Sequence, residues 1–155
     1  MQKKWRCHKG FLSVWKAALP YLEKVISDTS VKRVVVVGYS HGAAIATLCH
    51  EYIWFNRPDL RESLETFAFG SPRVIWGALG GKLAARWRGL LRIKNREDIV
   101  THLPLAVMGY RHVGKAVRIG CVAKNGFVRA HYPERYLEEL QICRDTCPHT
   151  VLMVM

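Results

Sequence analysis

Gly38-Tyr39-Ser40-His41-Gly42 follows the unbroken apolar run Val34-Val35-Val36-Val37 and precedes the small-residue stretch Ala43-Ala44-Ile45-Ala46. A serine with a glycine two residues to either side, set between a strand and a helix, has the G-x-S-x-G pattern of a nucleophile elbow. Such a serine sits on a sharp, strained turn. Side chains two residues before and after it would collide with each other and with the neighbouring chain, and Gly38 and Gly42 are expected to remove those collisions. Ala43, Ala44 and Ala46 let the helix come close to the sheet. The helix N-terminus then aims free N–H groups and its positive dipole end at the reacting centre. The backbone N–H of His41 is the expected oxyanion donor. The plainer alternative is a glycine-rich strand-to-helix turn with an incidental serine.

A serine hydroxyl needs a base, and the base needs an orienting acid. Where a nucleophile elbow is used, the acid and then the base follow the serine in chain order. Asp98, in Leu91-Arg92-Ile93-Lys94-Asn95-Arg96-Glu97-Asp98, lies on a loop after a later strand and is the expected acid. Glu97 is the neighbour that could replace it. Asp59 comes too early. Of seven histidines, His131 follows the last strand candidate and precedes the last helix, where the base belongs. His41 should point away from the serine hydroxyl. His50 falls inside a helix, and His8 precedes the strand system. His102 and His112 read as packed or hydrogen-bonding residues, and His149 lies in the C-terminal tail.

The elements that must position these residues alternate. From Gly10 to Asp28 apolar residues recur at three and four, which is helical spacing, with Pro20 expected to kink or break the helix. Val31 to Val37 reads as a parallel strand buried on both faces. Ala43 to Phe55 reads as a helix, Leu64 to Phe69 as a strand, Gly81 to Arg88 as a basic helix and Leu90 to Lys94 as a third strand. Val113 to Ile119 and Cys121 to Arg129 are late strand candidates, with a turn at Asn125-Gly126. Pro133 to Ile142 reads as the last helix. The alternation predicts an α/β fold with a mostly parallel sheet, its chemistry beyond the carboxyl ends of the strands. No linker or repeat divides the 155 residues, so a single domain over residues 1–155 is expected.

Composition bounds the rest. Half the chain is apolar and about a quarter charged, as in a globular domain. No apolar run reaches the ~18 residues of a membrane span, and the basic N-terminus lacks a signal-peptide pattern. Five cysteines make an odd count that fits reduced thiols, hence a cytoplasmic setting. Cys143, Cys147 and His149 do not match a zinc-site spacing, so no metal is expected. A net charge of +12 points to solubility or to an anionic partner, nucleic acid or acidic lipid. Lys82-Leu83-Ala84-Ala85-Arg86-Trp87-Arg88-Gly89-Leu90 mixes cations with Trp and Leu. It reads as a solvated helix face with one apolar side on the sheet, or as an anionic-lipid contact.

Several blocks in order resemble the class 3, or fungal-type, lipases of the α/β-hydrolase superfamily. His8-Lys9-Gly10-Phe11 resembles the family's H-x-G-F, and Val35 to Ala44 its V-x-G-H-S-L-G-G-A block. Phe69-Gly70-Ser71-Pro72-Arg73-Val74 matches its F-G-x-P-R-V turn. Asn95 to Pro104 matches N-x-x-D-x-V-x-x-L-P, and Gly109 to Gly114 resembles G-Y-x-H-x-G. His131 ahead of Tyr136 to Leu140 resembles its histidine before a Y-x-x-x-L helix. Together the blocks cover residues 8 to 140. The resemblance implies hydrolysis of carboxylic esters by Ser40, Asp98 and His131 through an acyl-enzyme, without a cofactor; lipid or phospholipid esters are the expected substrates, with small soluble esters as the alternative. Tyr39, His41 and Ala43 depart from the family's His, Leu and Gly. The family also places an early strand and an F-x-G-T-like turn, source of a second oxyanion donor, before H-x-G-F. Only seven residues precede His8, so an N-terminally truncated α/β-hydrolase fold is expected. Its uncovered sheet edge would invite a partner chain or a second copy. A rival reading is a binding module built on a truncated, spent hydrolase. No nucleic-acid-binding signature accompanies the charge, so nucleic acid is not expected as a partner.

Overall fold

A computed structural model describes residues 5–78, 80–120 and 126–146. In chain order its main elements are β1 (Arg6–Cys7), α1 (Lys9–Ile26), β2 (Val34–Tyr39), α2 (His41–Asn56), β3 (Leu64–Phe69) and β4 (Ile75–Trp76), followed by α3 (Gly81–Ala84), β5 (Leu90–Asn95), β6 (Tyr110–Arg111), β7 (Lys115–Ile119) and α4 (Pro133–Thr146). Strands β2, β3, β5 and β7 form one parallel sheet in that order, and β1, β4 and β6 form a small antiparallel one. The small sheet has two-residue strands, too short to leave an alternation in the sequence.

The register levels the carboxyl ends. Tyr39 lies beside Phe69, Phe69 beside Ile93, and Asn95 beside Ile119. The ladder runs on past β2, because Ser40 N–H donates to the Phe69 carbonyl at 2.8 Å and Gly70 N–H to that of Ile93 at 3.0 Å. The loops after β2, β3 and β5 therefore meet at one end.

Two apolar clusters cover the faces. Ala44, Leu48 and Ile53 of α2 pack with Trp15 of α1, Leu64 and Leu90. Fully buried Trp87 joins them, its Nε1–H donating to the Thr47 carbonyl at 3.1 Å. On the other face Tyr136 of α4 packs with Ile93 and Ile119, with Tyr39, Phe67 and Phe69 alongside.

Four sequence expectations change. Helix α1 runs through Pro20 without interruption. The lost hydrogen bond and crowded turn are outweighed by packing on α2. The valine run is not buried on both faces: Val35 is 49% and Val37 65% exposed. Strand β2 is one of the two edge strands, and α4 covers β5 and β7 at the other side of the sheet. The basic helix over 81–88 is one α-turn followed by a 3-10 turn, Ala85–Trp87, since Trp87 must turn into the core. The strand predicted from Val113 starts at Lys115, with Val113 buried ahead of it. Residues 121–125 of the other late strand candidate, including Asn125 of the predicted turn, lie outside the described residues, and Arg129–His131 is a 3-10 turn.

Candidate active site

Ser40 sits between β2 and α2 at φ +54° and ψ −120°, and among the described residues it is the one non-glycine with positive φ. Such a backbone costs about 1–3 kcal/mol and persists only where its surroundings enforce it. Gly38 is part of that enforcement. A Cβ there would lie 2.4 Å from the Gly42 carbonyl oxygen and 2.8 Å from Ala43 N. Gly42 behaves differently, because a Cβ on it meets nothing within 4 Å. The expected collision therefore holds for Gly38 alone; Gly42 lies on the exposed side of the first helical turn. Gly38→Ala should lower stability by about 3 kcal/mol or more, and Gly42→Ala should stay within about 0.5 kcal/mol of the parent. Denaturant midpoints of the two variants measure this, and equal losses would refute the distinction.

The three distant side chains meet in line. His131 Nε2 is 2.8 Å from Ser40 Oγ, and His131 Nδ1 is 2.8 Å from Asp98 Oδ2. Asp98 is fully buried. Its Oδ1 accepts from Val100 N–H at 2.8 Å, which caps the short 3-10 turn Ile99–His102, and its Oδ2 also accepts from the Tyr136 hydroxyl at 2.5 Å. Tyr136 O in turn accepts from Asn95 N–H at 3.1 Å. The turn bearing His131 is tied down twice: Asn95 Nδ2 donates to the Ala130 carbonyl at 3.0 Å, and the Tyr39 hydroxyl donates to that of His131. The Tyr39 ring also stacks on the imidazole, with centroids 5.2 Å apart. Gly70, at φ +57°, backs the relay; a Cβ on it would sit 3.0 Å from both Asp98 Oδ2 and His131 Cε1.

Burial, then the Asp98 charge nearby, pushes the Tyr39 phenol up to about 12. Burial and the bond to Asp98 push Tyr136 up further. Both remain protonated donors at any working pH. Helix α2 begins at His41, so its N–H is a first-turn donor with no acceptor inside the helix. The His41 ring turns instead onto Phe11, with centroids 5.2 Å apart.

The other described histidines serve elsewhere. His50 Nδ1 is 2.8 Å from Thr66 Oγ1, and burial lowers its pKa to about 4. His112 Nε2 donates to the Thr101 carbonyl at 2.8 Å, and burial, reinforced by Arg92, lowers its pKa to about 3. His102 pairs with Lys94, and the His8 ring packs at a tilt against Phe11, with centroids 4.7 Å apart. Cys147 and His149 lie outside the described residues. Sequence reasoning missed Tyr136, Asn95 and Gly70 as parts of this site. All three stand in the family blocks given above, but no spacing tells that a helix residue reaches a loop carboxylate.

Residues 1–108 match the profile of the lipases of class 3. The chain belongs to the class 3 lipase family. It is 37% identical over 112 residues to the secreted mono- and diacylglycerol lipase A of Penicillium cyclopium, covering 67% of this chain and 34% of that protein. To the secreted mono- and diacylglycerol lipase 1 of Fusarium solani it is 29% identical, over 68% of this chain and 32% of that protein. It thus spans about a third of the length of these curated relatives. It also resembles the structure of a triacylglycerol lipase whose catalytic centre is formed by a serine protease triad. That match has a TM-score of 0.68 at 27% identity, over 77% of this chain and 47% of that one. The parallel sheet flanked by helices is the α/β-hydrolase architecture that the resemblance implied, covering part of the lipase fold.

One expectation is overturned. Both fungal relatives in this lipase family are named as secreted, which points outside the cell rather than to the cytoplasm. The thiols were a poor guide to compartment. Burial alone pushes the Cys49 thiol up to about 12, which keeps it protonated whatever the compartment. No helix among the described residues is long and apolar enough to cross a membrane.

Proposed function

We propose that this chain hydrolyses carboxylic esters of the lipid class through an acyl-serine, with Ser40 as nucleophile, His131 as base and Asp98 as orienting acid. The observation that carries the reading is the Ser40–His131–Asp98 line at two successive 2.8 Å spacings, ending on a buried carboxylate. His131 Nε2 takes the Ser40 proton as Oγ attacks the ester carbonyl carbon. The carbonyl oxygen takes the charge beside the His41 N–H, and Asp98 stabilises the imidazolium. Collapse expels the alcohol, which receives the proton from His131. Water, deprotonated by the same imidazole, then releases the acid and restores Ser40. Mono-, di- and triacylglycerols, the esters in the names of its relatives, are the substrates we assign, met outside the cell.

Labelling with a fluorophosphonate, read by intact mass on the parent and on Ser40→Ala, tests this. One adduct on the parent and none on the variant is the expected result. No adduct on folded parent protein would overturn the reading and favour a binding module on a spent hydrolase fold.

A further inference from the structure

The positive charge of this chain is unevenly placed. The span from Thr66 to Pro133 holds twelve Lys and Arg against two acids, Glu97 and Asp98, while the rest of the chain holds twelve against ten. Asp98 is buried and committed to His131 and Tyr136. Almost all of the excess therefore lies in the span that builds the strands and loops beside Ser40.

Register concentrates part of it. Lys94 lies directly opposite Arg118 on β5 and β7, near the carboxyl ends of both strands. Lys94 Nζ is 2.8 Å from His102 Nε2, and Arg73 donates to the carbonyls of His102 and Pro104. Arg111 stands exposed on β6. None of Arg73, Lys94, Arg111 and Arg118 takes part in the salt bridges found among the described residues. Burial and then the neighbouring cations lower the pKa of Lys94 and of His102, a crowding that an anion would relieve.

These contacts also hold a loop. Arg73 and Lys94 grip its start, and the Trp76 Nε1–H donates to the Met108 carbonyl at 3.0 Å at its end. Held this way, Leu103, Leu105, Val107 and Met108 all stand out to solvent, Val107 at 88% exposure. Outward apolar side chains framed by cations are the composition of a surface that lies in a lipid interface. The Lys82–Leu90 segment lacks it, because Trp87 is buried and Arg86 is bound to Glu51 at 2.5 Å.

We infer that the Leu103–Met108 loop and its frame of Lys94, Arg111 and Arg118 dock this chain on an anionic lipid aggregate, the apolar side chains entering the acyl boundary and the cations meeting headgroup phosphates. The inference rests on the lipid-ester reading of Ser40, since the loop follows Asp98 at the same end of the sheet. A nucleic acid would use the cations and leave the apolar ridge in water.

The test is co-sedimentation of the Ser40→Ala chain, which leaves the lipid intact, with phosphatidylcholine vesicles that contain or lack phosphatidylglycerol. Partitioning at least about tenfold stronger with phosphatidylglycerol is expected, weakening as NaCl is raised. Val107→Asp and Arg118→Glu, both at exposed positions, should each weaken it by about fivefold or more with near-ultraviolet dichroism unchanged. Equal partitioning to both vesicles, no partitioning, or indifference to both variants would overturn the inference. Retention of duplex DNA that Val107→Asp leaves unweakened would overturn it in favour of nucleic acid. A fluorophosphonate adduct on the parent without vesicle binding sinks the docking surface alone. Vesicle binding without an adduct sinks the hydrolase reading and leaves the docking surface standing.

Discussion

Asp98→Asn should lower kcat on a soluble short-chain ester by about 10³–10⁴-fold with little change in KM. The reason lies in how the carboxylate is used. Oδ1 accepts from Val100 N–H, and Oδ2 accepts from both His131 and Tyr136. An amide offers one oxygen and one NH₂. With its oxygen on the Oδ2 side, the NH₂ confronts Val100 N–H; turned round, it confronts both His131 and the Tyr136 hydroxyl. The second orientation forces His131 to present a bare Nδ1, which moves the proton to Nε2 and removes the base from Ser40. Both leave a buried donor without an acceptor, at about 1–3 kcal/mol. Steady-state kinetics with a melting curve separate the two losses. A variant that keeps more than about a tenth of the parental kcat would remove Asp98 from the role proposed here.

Acid should unfold the protein through two histidines that take no part in the relay. His50 and His112 are buried neutral, with pKa values of about 4 and about 3 against an ordinary 6.5. Both folded-state values are depressed, so the unfolded chain binds protons first as pH falls. Their stabilising effect is complete above about 6.5 and is lost progressively below it, down to the folded values. By pH 4.5 each should cost roughly 2–3 kcal/mol, a large part of the stability of a domain this size. Chemical denaturation at a series of pH values measures the slope between pH 6.5 and 4.5. His112→Asn, which keeps a donor for the Thr101 carbonyl, should flatten it. An unchanged slope in that variant would mean that other groups drive the loss.

Much of this architecture could be read before any coordinates, and the reasons are local. Leu64–Phe69 was legible as a strand because it is a short segment, ending Phe-Ala-Phe, closed by Gly-Ser-Pro. The elbow was legible because its backbone demands a serine, a close glycine and small helix residues together. Ser40, Asp98 and His131 could be placed by chain order, and they meet. What the sequence hid depends on neighbours. Four successive valines look alike, yet Val34 and Val36 face α2 while Val35 and Val37 stay open, and strand order decides that. The Tyr136 ring packs in the core, and only the approach of α4 to the Asp98 loop gives its hydroxyl an acceptor. Gly42 reads as the twin of Gly38, but the direction of the missing Cβ separates them.

The relay also makes Ser40 a clock for folding. His131 lies 91 residues from Ser40 and 33 from Asp98 along the chain, and Asp98 is held in turn by Tyr136, 38 residues on. Every strand pair in the four-stranded sheet is parallel and joined by a crossover, so none of these contacts can form early from local structure. Helical dichroism can return as soon as α1 and α2 form. In the triad proposed above, the serine becomes reactive only when β2, β3 and β5 are in register and α4 has docked. During refolding, the rate at which Ser40 regains its reactivity toward a fluorophosphonate therefore times the closing of the whole sheet, and it lags behind the return of helix.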